Sequence, residues 1–312
     1  MEPQPIPSVS AAESAACPIC DAPTAPLADV DYRECQACHA RVSLAPEGRY
    51  DEGYYFHDRA HEERQRDRAV LQVRHLRRLL HEVEDTRQAD TPRAWRELEL
   101  GCSKGFFVEE AVASGFDAVG VDVSEVALEH GRQRGLEGRL FAADARSPLP
   151  EPCGQGFDVV AAWELLEHMD SPAEFLEQAA SHLRPGGWVV GSTPNGDSTW
   201  VDVLGPRWHG FGIPQFHRVY LNPEAFRIAA ERAGLDATCT VTTTEPAGHF
   251  LLKNVATACA ERLTGTRNNL VRAGLALTLA VPEWVAEHTA GHLPGLRGDT
   301  LLFAARKPRS GD

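Results

Sequence analysis

From Trp95 onward the chain alternates short apolar runs with helical patterns, and that alternation restricts its fold more than any other feature of the 312 residues. Leu98–Leu100, Ala118–Val121, Leu140–Ala142, Phe157–Ala162 and Trp188–Ser192 read as strands. Phe106–Ser114, Glu125–Arg134, Pro172–Leu183 and Pro223–Ala233 read as helices, and Thr238–Thr244 and Thr300–Ala305 as the last strands. Strands separated by whole helices pair in parallel, and the helices cover both faces of the sheet. The expected class is therefore α/β. Ligands of such sheets sit at the carboxyl ends of the strands, near the switch in strand order.

The residues at those ends are informative. Glu99-Leu100-Gly101-Cys102-Ser103-Lys104-Gly105 joins the first strand to the first helix, and its glycines permit a tight turn and close approach of a ligand to bare backbone. Dinucleotide and nucleoside enzymes share that arrangement, so alone it separates neither. The second strand ends in Gly120-Val121-Asp122, about 20 residues on, where an acid can accept both hydroxyls of a ribose. The third runs into Ala143-Asp144-Ala145, which sets another acid and a backbone amide beside the same crevice.

Eight cysteines divide into two groups. Cys17, Cys20, Cys35 and Cys38 form C-x2-C-x14-C-x2-C, two close pairs that can converge on one Zn²⁺ and fill its tetrahedron, as a structural site requires. His39 reads as a surface residue, and Cys102, Cys153, Cys239 and Cys259 as small core residues. The net charge of −14 argues against a surface built to grip nucleic acid. The N-terminus lacks the basic start and apolar core of an export signal, and Leu270–Ala286 is interrupted by Arg272, Pro282 and Glu283. These features lead us to expect a cytoplasmic protein with reduced thiols and no transmembrane segment.

The strand-end residues resemble those of class I S-adenosylmethionine-dependent methyltransferases. Glu99–Gly105 looks like their first motif, Asp122 like the ribose acid, and Asp144 like the residue that reads the adenine amino group. Phe157-Asp158-Val159-Val160 and Leu183-Arg184-Pro185-Gly186-Gly187 look like their later motifs. The likeness covers about residues 95–245 and implies a Rossmann-like, mostly parallel seven-stranded sheet. It implies S-adenosylmethionine as cofactor, held by Glu99, Gly101, Ser103, Gly105, Asp122, Val123, Asp144, Ala145 and Trp163. Ser103 departs from the pattern, standing where the middle glycine usually does. The cysteine pairs followed by Tyr50-Asp51-Glu52-Gly53-Tyr54-Tyr55 look like the zinc-ribbon extension of many bacterial methyltransferases. A Rossmann oxidoreductase would leave Asp144 and the Leu-Arg-Pro-Gly-Gly turn without a role. A binding-only scaffold would have little use for intact acids at Asp122 and Asp144.

After the fourth strand comes Trp163-Glu164-Leu165-Leu166-Glu167-His168-Met169-Asp170, with His217 in a later insertion. His168 can act as a general base, since imidazole titrates near neutrality. The E-x-x-E-H run with a distant His resembles the metal site of small-RNA 2′-O-methyltransferases and of ubiquinone-pathway O-methyltransferases. That likeness implies a catalytic Mg²⁺, Mn²⁺ or Zn²⁺ on Glu164, Glu167, His168 and His217. Equally, Glu–His pairs can simply orient the loop, and the residues leave both readings open. His209 is a further candidate ligand or base. Catalysis is assigned to His168, Glu164 and His217.

The chain divides on this reading into a disordered tail (1–16), a zinc ribbon (17–46), a connector and helix (47–92) and a methyltransferase domain (93–312) with insertions at 195–221 and 245–298. The first insertion reads as a flexible lid whose Trp200, Trp208, Phe211 and Phe216 either line an acceptor pocket or pack the lid. The second reads as an amphipathic helix over the core, leaving open a membrane-surface contact or a homodimer face. The arginines of the 57–88 stretch read as a solvated helix face. The acceptor expected is a small hydroxylated molecule: a sugar, a natural-product intermediate or a catechol-like ring. Methylation at nitrogen or carbon stays open.

Overall fold

The computed structural model describes residues 15–48, 59–84, 94–243 and 297–309. Residues 1–14 of the expected N-terminal tail, the aromatic connector at Tyr50–Phe56 and nearly all of the second insertion lie outside them, as do Cys259 and the side chain of Cys239. Ala15 and Ala16, expected in the tail, instead pair with Thr24 and Pro23 of the ribbon.

Seven strands form the main sheet: β4 (Arg96–Leu100), β5 (Asp117–Asp122), β6 (Leu140–Ala142), β7 (Phe157–Trp163), β8 (Leu183–Pro194), β10 (Asp236–Thr243) and β11 (Thr300–Arg306). Their order is β10-β11-β8-β7-β4-β5-β6. The pairs from β8 to β6 are parallel, and β11 runs antiparallel between β8 and β10. The chain builds outward from β4 through β5 to β6, then returns to β7 on the other side. The crevice at that reversal is where an open α/β sheet receives ligands.

The helices begin where the sequence supplies caps. Ser124 accepts from the Ala127 amide at the start of α3 (Glu125–Gly131), and Asn222 accepts from the Ala225 amide at α6 (Pro223–Arg232). Proline at the first helical position opens α4 (Pro172–Ser181) and α6. Phe175 and Leu176 of α4 and Phe226 of α6 are buried on one face of the sheet, where Phe226 stacks on Phe303 with ring centroids 4.7 Å apart. On the other face α1 (Arg59–Glu84) buries Ala69, Val73, Leu76 and Leu80, one helical stripe, against α2 (Phe106–Ala113). Its arginines work locally: Arg66 lies over the Phe106 ring at 4.7 Å, and Arg77 donates to the Ser114 carbonyl.

Asp158 of β7 is fully buried and explains its place in the Phe-Asp-Val-Val run. It accepts from the Arg96 amide at the start of β4 (2.8 Å) and pairs with Arg184 in the turn that opens β8. Three neighbouring strands are thereby pinned at their entry ends.

The cysteine segment forms a second sheet, β1 (Thr24–Pro26), β2 (Tyr32–Cys35) and β3 (Arg41–Ser43), whose fourth strand comes from far along the chain. That strand is β9 (Val219–Tyr220), paired antiparallel as Arg41↔Tyr220 and Val42↔Val219. Residues 195–221, expected as a flexible lid, are instead tied to the ribbon. Trp208 and Tyr220 are buried with Tyr32 of β2, their rings meeting at 4.9 and 5.4 Å from the Tyr220 centroid. Trp200 and Phe211 pack on the same cluster. Aromatic packing and the β-pairing each restrict the segment more than polar loop residues would.

The middle of β4 carries an unusual load. Glu97 is fully buried with neither carboxylate oxygen bonded among the described residues, and Glu99 is buried two residues on. Burial, reinforced by the Glu99 charge, pushes the Glu97 carboxyl well above its ordinary value. The folded chain therefore holds a proton that the unfolded chain releases above about pH 4.3. Stability contributed by this group falls as pH rises, by up to about 1.4 kcal/mol per pH unit while the folded carboxyl stays protonated. We expect Glu97→Gln to gain stability over the parent chain progressively from pH 5 to pH 8, read by thermal unfolding. Parallel pH curves for the two proteins contradict this account.

Candidate functional site

The carboxyl ends of β4, β5, β6, β7 and β8 meet along one edge of the sheet. The first loop leaves β4 through three left-handed residues, Gly101 (φ +74°), Ser103 (φ +48°) and Gly105 (φ +72°). At Gly101 a side chain would collide with Leu165, its Cβ only 2.9 Å from Leu165 Cδ1, so glycine is what lets this loop touch the segment after β7. Ser103 accepts the strained conformation while its amide donates to Asp122 Oδ2 at 2.8 Å. The Lys104 side chain is buried and its Nζ lies 2.6 Å from Glu62 Oε1, so α1 clamps the loop from outside.

Asp122 is nearly buried and accepts from the Ser103 and Ser124 amides, one on each oxygen. Burial raises its carboxyl despite those donors. Glu99 is raised well above the carboxylate range, first by burial and then by the Asp122 charge. Val123, the next residue, leaves an apolar side chain 61% exposed at the crevice edge. Ala145 is buried, and Trp163 is buried with its ring 5.4 Å from that of Phe107. Asp144 is engaged in a way the sequence reading missed: both its oxygens accept from Arg146, which also reaches Glu47 at 3.2 Å. The Arg146 guanidinium holds the Asp144 carboxyl below its ordinary value.

A left-handed turn at Glu164 (φ +50°) throws the chain off the end of β7, and Leu166–His168 then form one 3-10 turn. Successive residues of β8 serve the two acids. Ser192 donates to Glu164 Oε1 (2.6 Å) and Thr193 to Glu167 Oε2 (3.0 Å). Glu167 is buried, and burial together with the Glu164 charge raises its carboxyl well above the ordinary value. His168 Nδ1 lies 2.9 Å from the Phe216 carbonyl oxygen, an acceptor only, so Nδ1 carries the hydrogen. Burial lowers the His168 imidazole below its ordinary value.

His217 arrives from the first insertion, with its ring edge-on to that of His168 and centroids 4.9 Å apart. One ligand atom from each of Glu167, His168 and His217 lies within 4.8 Å of the other two. A carboxylate and two imidazoles make a donor set suited to a borderline divalent cation. Glu164, expected as a fourth member, is outside this group among the described residues and is held instead by Ser192. Of the His209 side chain nothing is described.

The four paired cysteines form a second cluster, their sulfurs also within 4.8 Å of one another. Cys17 and Cys38 Sγ are 3.7 Å apart and Cys20 and Cys35 Sγ 3.4 Å, far beyond a disulfide and near the roughly 3.8 Å edge of a sulfur tetrahedron with metal–sulfur bonds of about 2.3 Å. The Ile19, Ala37 and Cys38 amides donate to these sulfurs. His39 is outside the cluster and exposed, beside Glu34. Cys102 and Cys153 are buried singly.

Comparison with known proteins bears on the family and the fold. Residues 62–240, more than half of the chain, match the model of a methyltransferase domain family. The ubiquinone biosynthesis O-methyltransferase of Bordetella pertussis is 30% identical over 151 residues, 46% of this chain and 63% of that protein. Its counterpart in Caulobacter sp. (strain K31) is 38% identical over 104 residues, 32% of this chain and 41% of that protein. The chain thus spans less than two thirds of the length of these relatives. A solved Haloferax volcanii complex between a methyltransferase activator and a methyltransferase shares the fold, with a TM-score of 0.50 and 16% identity, over 84% of this chain and all of that one. Among the described residues no helix is long and apolar enough to cross a membrane. The sheet order, the strand-end acids and the family match lead to one conclusion: the chain belongs to the class I S-adenosylmethionine-dependent methyltransferases.

Proposed function

We propose that this protein transfers a methyl group from S-adenosylmethionine to a hydroxyl of a small acceptor: a sugar, a natural-product intermediate or a catechol-like ring. The observation that carries the oxygen assignment is the convergence of Glu167, His168 and His217 within 4.8 Å on the segment that touches the Gly101 loop through Leu165. The names of the O-methyltransferase relatives support the same acceptor atom.

On this reading Asp122 takes the ribose hydroxyls, Val123 and Ala145 flank the adenine, and Asp144 receives its amino group in exchange for part of the Arg146 pair. The bare backbone of Gly101 and Gly105 leaves room for the methionine moiety, with Glu99 and Trp163 closing the floor. Methyl transfer is an in-line displacement, so the protein's work is to align donor and acceptor and to take up the hydroxyl proton. Without a cation, neutral His168, its imidazole lowered by burial, is poised to accept that proton on Nε2; with a cation bound, that lone pair would be a ligand instead. The same donor set fits a divalent cation, which when bound lowers a hydroxyl pKa. Glu167, His168 and His217 would hold it, and Glu164, fixed by Ser192, would border it. In the ribbon, Cys17, Cys20, Cys35 and Cys38 would hold structural Zn²⁺.

Three measurements test the proposal. Calorimetry should show the protein binding S-adenosylhomocysteine, with Asp122→Ala weakening it at least tenfold; no binding by the parent chain rejects the cofactor, and binding without any methyl transfer points to a scaffold. Chelation that leaves ribbon zinc in place should abolish transfer, Mn²⁺ or Mg²⁺ should restore it, and His168→Ala should lose the activity. Full activity in chelator rejects the catalytic cation. Elemental analysis should find one zinc per chain, lost in Cys38→Ser together with several degrees of thermal stability; a variant that retains its zinc rejects the ribbon assignment.

A further inference from the structure

The ribbon and the reaction centre meet at one histidine. His217 Nδ1 lies 2.7 Å from the Tyr220 hydroxyl oxygen, and the Tyr220 hydroxyl donates to the Gly210 carbonyl. From the ribbon side, the Tyr32 hydroxyl donates to the His217 carbonyl at 3.0 Å. The Tyr220 hydroxyl also meets that of Tyr32, and placing its one hydrogen on an acceptor other than His217 gives the chain its direction. Two carbonyl oxygens can only accept, and two phenols have one hydrogen each. With both phenolic hydrogens so placed, the remaining contact must be Nδ1–H of His217 donating to Tyr220. The neutral imidazole then keeps its lone pair on Nε2.

Backbone contacts fix the same segment in place. The Arg218 amide donates to the Glu167 carbonyl at 2.6 Å, and its guanidinium bridges Asp170 (2.7 Å) to Ser43 Oγ (3.2 Å). The Asn222 side chain donates to the Cys38 carbonyl at 2.9 Å. Residues that follow His217 are therefore held by the cysteine ribbon and by the turn that carries Glu167.

We propose that Tyr220 is a positioning residue that sets the tautomer and orientation of His217, with the ribbon holding the pair in place through Tyr32 and β3. The consequence for cation binding rests on the proposed role of His217 as a ligand; the tautomer itself does not. Outer groups of this kind raise metal affinity by 10–100-fold where they have been removed from other sites.

The test uses the full chain with its ribbon loaded with zinc. Long-range ¹H–¹⁵N spectra, with His217 assigned through His217→Gln, should show the Nδ1–H tautomer in the parent chain and a shift toward Nε2–H in Tyr220→Phe. A Co²⁺ titration, read by absorption lacking thiolate bands, should weaken by about 10–100-fold in Tyr220→Phe and by less in Tyr32→Phe. An unchanged tautomer in Tyr220→Phe overturns the proposal. So does an Nε2–H tautomer in the parent chain, which decides the matter even if the variant fails to fold. Absence of a second Co²⁺ site in the parent chain rejects the catalytic cation, while the tautomer shift still upholds the relay.

Discussion

The feature on which the site depends is the sharing of residues 217–222 between two sheets. Val219 and Tyr220 complete the cysteine ribbon, while the flanking Arg218 amide bonds the Glu167 carbonyl in the turn after β7 and Leu221 bridges Asn195, just past the end of β8. A segment paired on both sides cannot swing as a hinged flap without breaking a ladder. His217 is presented from this fixed girder, opposite a His168 that is itself held by the Phe216 carbonyl. Precision at such a centre comes from supporting contacts as much as from the ligating residues themselves.

A different logic governs the cofactor edge. Acids at Glu97, Glu99 and Asp122 stand close together at the middle of the sheet, and burial raises all three. Only Asp122 is fully supplied with donors, from two backbone amides. The loop above them is clamped by Lys104 on Glu62, and the outer acid Asp144 is compensated by Arg146. The acids at the rim thus keep their charge against a paired cation, while burial holds the inner carboxyls toward their neutral forms.

The sheet was legible because each strand and helix carries its own local period, and the ends of β6 coincide with its apolar run Leu140–Ala142. Boundaries drifted where tertiary pairing extended an element, as at β8, which begins at Leu183 within the Leu-Arg-Pro-Gly-Gly turn. The cysteine cluster was legible from spacing alone, since short knuckles impose convergence. Its docking was not. A two-residue strand such as β9 has no periodicity to detect, and its partner β3 is remote in sequence. Glu164 is held by the Ser192 hydroxyl from another strand, a partner that local spacing does not announce. The Arg146 cover on Asp144 had a signal two residues away, but nothing in the spacing said that both oxygens would be taken.

The split origin of the small sheet also bears on how the chain is made. Ser43 and Arg218 touch across 175 residues of sequence, so β3 leaves the ribosome long before its neighbour exists. At about 5–20 residues per second that edge stays open for roughly 10 to 35 seconds. An open edge is a template for pairing with other chains, and charge on it is the usual protection. Arg41, which pairs with Glu34 at 3.2 Å on the adjacent strand, is the charged residue that β3 carries on that edge.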